Sequence, residues 1–152
     1  MLFNVMLETA ILSNLLAQLL KIPLYYLKHG KWLWRLMLSS GGMPSSHAAF
    51  VSALAVAIAL HQGVDSVYFA LAFVLAAVVI YDAMGIRRHA GKHAAILNKL
   101  IADLLNLKVL KGVTDPEYQR EFKELLGHEP IETFWGMLFG IAIAMIYAWL
   151  AS

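Results

Sequence analysis

Four apolar runs organise the chain. Phe134 to Ala151 is eighteen residues without a charge, and Val67 to Tyr81 is fifteen more, extendable to Val64 and Met84. Ala48 to Leu60 has Ser52 as its only polar side chain, while Leu2 to Leu20 is interrupted by Glu8, Ser13, Asn14 and Gln18. A helix needs about 20 apolar residues to cross the hydrocarbon of a bilayer. The pattern therefore predicts an all-α, polytopic membrane bundle in one domain over 1–152, with about four spans at 2–20, 46–62, 65–84 and 131–151. The first run has no basic residue before it, and Lys21-Ile22-Pro23 is not a small-residue cleavage site, so it reads as a retained helix and not a signal peptide. An arrangement with 2–20 lying in the interface would leave the other three spans unchanged.

The connection 85–130 is too long for bare loop. Ala94, Ala95, Leu97, Leu100, Ile101, Leu104 and Leu105 recur at helical spacing with Lys92, Lys99 and Asp103 between them, which predicts an amphipathic surface helix over 90–107. Thr114-Asp115-Pro116-Glu117 is a capped helix start, Tyr118, Phe122, Leu125 and Leu126 share a face, and Gly127 ends the segment. Pro130 then opens the last span. That span carries Gly136, Gly140, Ala144 and Ala148 four apart, and the second carries Ala49, Ala53 and Ala57. Stripes of this kind let helices approach closely in lipid, either inside one chain or between copies in a homo-oligomer. Alanine is also simply common in membrane helices.

Composition agrees with the pattern: 61% of residues are hydrophobic and 14% charged, against about half and a quarter in soluble domains. No cysteine is present, which excludes disulfides and thiolate metal sites. The net charge of +2 says little, but the twelve basic residues divide completely. Lys21, Lys28, Lys31 and Arg35 fall in the first connection, and Arg87, Arg88, Lys92, Lys99, Lys108, Lys111, Arg120 and Lys123 in the third. The hairpin 61–66 and both termini have none. The positive-inside rule places the two basic connections in the cytoplasm and both termini outside, in the plasma membrane. No nucleic-acid partner is expected.

Candidate chemistry sits at the ends of the spans. Gly41-Gly42-Met43-Pro44-Ser45-Ser46-His47 joins a glycine turn, a proline suited to a first helical turn and two serines at a helix N-terminus, a setting for phosphate. An ordinary helix cap is the plain alternative. His128 and Glu132 are four apart and share a helical face, so the carboxylate could fix the imidazole tautomer. The plain alternative is a helix-start glutamate favoured by the dipole. Gly85 and Gly91 put Arg87 and Arg88 on a bend, where they could grip phosphate or merely anchor the span. Asp82 would pair with one of those arginines or, less conservatively, ligate a metal. These groups all lie at the cytoplasmic ends, so one shared pocket is geometrically open to them.

Pro44-Ser45-Ser46-His47 resembles the proline-serine-glycine-histidine motif of the type 2 phosphatidic acid phosphatase and vanadium haloperoxidase superfamily, with serine for glycine. His128-x-x-x-Glu132 is similar to the end of that superfamily's third motif, with glutamate for aspartate. The stretches 41–47, 81–91 and 126–132 look like its small divergent membrane branch, and the resemblance covers most of the chain. The arginine usual six residues before the nucleophile is absent, since Phe122 stands there beside Lys123. No arginine–proline pair occurs in the first connection, and about four spans stand in place of six.

The resemblance implies a phosphohydrolase acting on a lipid phosphate or diphosphate at the cytoplasmic face. His128 would form a phospho-histidine, oriented by Glu132, and His47 would protonate the leaving oxygen. Lys31, Arg35, Ser45, Ser46, Arg87 and Arg88 would hold the phosphate oxygens. The scheme needs no metal or other cofactor. A vanadate haloperoxidase fits less well, because the apolar spans favour a lipid substrate. The rival from another class is a non-catalytic binder of lipid headgroups or an assembly subunit. A transporter would need an internal repeat or a longer polar path, and a metal-dependent transferase a second aspartate near Asp82.

Overall fold

The structure is a computed structural model that describes residues 4–38, 41–106 and 129–150. The regular elements among those residues are all helices, without strands. Helix α1 runs Val5–His29, a 3₁₀ turn follows at Trp34–Leu38, and α2 runs Ser46–Gln62. After a tight turn come α3 (Val67–Met84), α4 (Ile86–Asn106) and, after the segment 107–128, α5 (Pro130–Leu150). Three stretches are long and apolar enough to cross a membrane: Val5–His29, Val67–Leu104 and Pro130–Leu150; Ser46–Gln62 is a shorter apolar helix. The second helix predicted in the long connection, from Thr114 to Gly127, lies outside the described residues.

The packing is sorted by size in the way lipid requires. On α3 the buried side chains are Ala72, Ala76 and Ala83, whereas Leu71, Phe73, Val74 and Val78 are exposed. In water that arrangement would waste the large side chains. In hydrocarbon there is no gain from burying them, and close backbone approach decides the packing instead. Helix α2 is central and packs against α1, α3 and α5. Its Ala49, Ala53 and Ala57 are buried, and so are Gly136, Gly140 and Ala144 of α5. The two small-residue stripes thus meet inside one chain. A Cβ added at Gly136 would fall 2.3 Å from the Ser45 carbonyl oxygen, and one at Gly140 would fall 2.3 Å from that of Ala49. Any larger residue at either position must push α5 off α2.

Polar side chains on α1 add interhelical bonds. The Ser13 hydroxyl donates to the Ala49 carbonyl and the Asn14 amide to that of Ser46, each at 3.3 Å. Bonds of this kind contribute about 0.6 kcal/mol each in membrane bundles. Near the start of α1, Tyr147 of α5 donates its hydroxyl to the Glu8 carboxylate at 3.0 Å, which gives that charge a partner inside an apolar helix.

Two boundaries differ from the sequence reading. The first apolar run was expected to end near residue 20, but α1 continues through Pro23 to His29 and stops at Gly30, which adopts φ +67°. Pro23 lies inside α1 with its ring on the exposed side, and the helix runs through it without ending there. The second difference is at Gly91, which was expected to contribute to a bend. The turn is made by Gly85 alone, and Gly91 is buried within α4.

Candidate functional site

Three segments meet at one end of the bundle. The first is the loop Gly41–Ser45 leading into α2. Ser45 is the helix cap: its hydroxyl accepts the Ala48 amide at 3.3 Å, and its carbonyl accepts that of Ala49 at 3.0 Å. Pro44 therefore precedes the helix instead of occupying its first turn, and the Met43–Pro44 peptide is cis. Gly42 has φ +92°, a conformation that L side chains rarely adopt, so the glycine is needed there. Ser45 and Ser46 are both buried, and His47, half-buried, is the second residue of α2.

The second segment is the start of α5. The Glu132 carboxylate accepts the Glu129 backbone N–H at 3.1 Å, the reach-back half of a capping box. The helix-start role weighed for Glu132 is thus present, although a carboxylate can accept from several donors. The Glu132 carbonyl accepts the Ser45 N–H at 3.0 Å. This single bond ties the loop before His47 to the turn that carries Glu132, two motifs 87 positions apart in the chain. It also occupies the Ser45 amide, which the sequence reading had offered to phosphate. His128 lies outside the described residues, and so does its pairing with Glu132.

The third segment is the end of α3. Ile80 and Met84 line one apolar groove of about 540 Å³ together with Pro130, Ile131, Thr133, Phe134 and Met137, which brings the α3 terminus beside the α5 start. Asp82 is half-buried in this last turn, and Arg87 and Arg88 follow in the first turn of α4. A second apolar groove of about 300 Å³ opens on the other side of α5, between Leu20, Leu24, Met43, Pro44, Trp135, Leu138 and Phe139. The polar layer is therefore flanked by apolar clefts on two sides. Lys31 and Arg35, expected to contact phosphate, are exposed before and within the 3₁₀ turn.

The residue that sequence reasoning passed over is Lys21. In the linear pattern it is one of the basic residues of the first connection. The structure encloses it, 2% exposed, within the extended α1. Its ammonium donates to the Gly41 carbonyl at 3.0 Å, and the Glu132 carboxylate is near enough for its charge to act on it. A signal was available in the spacing. Thr9, Ser13, Ala17 and Lys21 are four apart, so a helix that did not stop at residue 20 would carry the lysine on the same small, polar, buried face.

Comparisons with known proteins bear on this arrangement. A family model described as "Divergent PAP2 family" matches residues 2–143. The chain is also similar to the uncharacterized membrane protein YuiD of Bacillus subtilis (strain 168), with 40% identity over 153 residues, covering 98% of this chain and 97% of that one. No solved structure matches the chain.

Proposed function

The chain belongs to the divergent PAP2 family, and from that premise we propose that it is a phosphohydrolase of lipid phosphates or diphosphates, working at the cytoplasmic membrane face. His128 attacks phosphorus in line. A phosphorus–nitrogen bond forms as the bond to the lipid oxygen breaks, and His47 gives its proton to that oxygen. His47 then takes a proton from water, whose oxygen displaces the histidine and releases inorganic phosphate. Glu132 orients the His128 imidazole and offsets its positive charge. Arg87 and Arg88 hold the phosphoryl oxygens by charge-assisted bonds, with Ser46 at the α2 N-terminus and Lys31 and Arg35 as further contacts.

The observation that carries this reading is the Ser45 N–H to Glu132 carbonyl bond, 3.0 Å long. It joins the segments on which His47 and Glu132 stand, as a two-histidine mechanism requires. The apolar clefts on both sides of α5 suit a substrate whose tail stays in the bilayer. The test is phosphate release by the purified protein from a panel of lipid phosphates and diphosphates. His128→Ala should abolish release while keeping binding, and His47→Ala should slow it by about a hundredfold. Arg87→Ala should weaken binding as well as turnover. Glu132→Gln should fall between these, because an amide can still accept from the imidazole but balances its charge poorly.

A non-catalytic lipid-headgroup binder is the second reading. It is favoured by Phe122 in place of the usual arginine and by the use of the Glu132 carboxylate in a helix cap. Binding of the panel through Arg87 and Arg88 with no phosphate released from any member would make it the better account.

A further inference from the structure

Lys21 heads the large side chains that the fold covers almost completely. An ammonium removed from water is tolerated only where partners offset its desolvation. The partners here belong to two different elements. Gly41 opens the loop that runs to His47, and Glu132 stands in the first turn of α5. The loop is consequently fixed at both ends, by Lys21 at the Gly41 carbonyl and by the Glu132 carbonyl at the Ser45 amide. Between those points the lysine stem passes under Gly42, with its Cδ 3.8 Å from where a Cβ would stand. Glu132 enters both ends of this arrangement, through its charge and through its carbonyl.

We propose that Lys21 is the positioning residue of this site, setting the Gly41–His47 loop and the Glu132 carboxylate in register from within α1. It acts on turnover through those two groups and touches no substrate. Its kinetic consequence rests on the phosphohydrolase reading; its effect on the loop does not.

Lys21→Met keeps an unbranched apolar stem and removes all three donors. The Gly41 carbonyl then loses this donor, and the loop should open more often at its Gly41 end. Backbone hydrogen exchange over 41–48 in detergent micelles reads this directly. The expected result is about tenfold less protection there, the scale of losing one charged hydrogen bond, with exchange over 66–72 at the opposite end of the bundle unchanged. In the same variant kcat should fall by about tenfold with KM within about twofold, and Lys21→Arg should restore most of both. Should Lys21→Met fail to fold, the pair Lys21→Met with Glu132→Gln removes both charges, and the same loss of protection over 41–48 is expected of it. Unchanged protection over 41–48 in whichever variant folds overturns the proposal. So does an equal rise in exchange at both ends, which marks general loosening, or a rise in KM without a change in the loop, which marks substrate contact. If the parent releases no phosphate but the loop still opens in the variant, the positioning role stands and the phosphohydrolase reading falls.

Discussion

Replacing Gly136 by alanine should loosen α5 from α2 at the level of the site. The new Cβ would stand 2.3 Å from the Ser45 carbonyl oxygen and 3.0 Å from the Ser45 nitrogen. A carbon and a carbonyl oxygen rest about 3.3–3.6 Å apart even in a favourable contact, so α5 must withdraw by about 1 Å. That moves the Glu132 carbonyl from 3.0 Å to about 4 Å from the Ser45 amide, outside hydrogen-bonding range. Overpacking strain costs about 1–3 kcal/mol, and a buried amide left without its acceptor about 1–3 kcal/mol more. The better helix propensity of alanine returns about 1 kcal/mol. A net loss of about 1–5 kcal/mol is expected. Reversible unfolding in mixed micelles, followed by circular dichroism, measures it. Ala142→Leu, on the exposed side of α5, should stay within about 0.5 kcal/mol of the parent. A Gly136→Ala protein as stable as the parent would refute the claim that the glycine is there for close approach.

Other expectations follow from the same structure. Tyr147→Phe removes the donor to Glu8 and should lower the unfolding midpoint, with Glu8→Gln in the same background restoring part of the loss; unchanged unfolding midpoints would count against that bond. Because the chain has no cysteine, single cysteines at Asp65 and Lys31 report orientation cleanly. An impermeant thiol reagent on intact cells should label the first and spare the second, and the reverse result would invert the topology drawn from the basic residues.

Much of the helical frame can be read from the apolar runs. The run placed at 46–62 is helical over Ser46–Gln62, and Pro130 opens α5 as its fixed φ suggests. The end of α1 could not be read in this way. Lys21 and Pro23 look like punctuation in a linear pattern, and whether a lysine ends a helix or is buried within it depends on what α2 and α5 bring alongside. The stripes of small residues were visible, but their destination was not. Gly136 and Gly140 would look the same facing another copy, and only the approach of Ser45 and Ala49 settles their use inside the chain. At the site, the motifs at Ser45 and Glu132 could be named separately. The backbone bond that joins them carries no sequence signal, because any residue has the N–H and carbonyl that form it. The burial of Lys21 was hidden for the related reason that it donates to a main-chain oxygen, that of Gly41.

The central claim is that this chain transfers a phosphoryl group through His128. The protein would be mixed with a lipid phosphate labelled in its terminal phosphoryl group, quenched in alkali within the first turnover, and digested for mass spectrometry. The account predicts an acid-labile phosphoryl adduct on His128 that is absent from His128→Ala and accumulates in His47→Ala if water activation becomes the slow step. Release of labelled phosphate with no adduct on His128, or release that persists in His128→Ala, would contradict it.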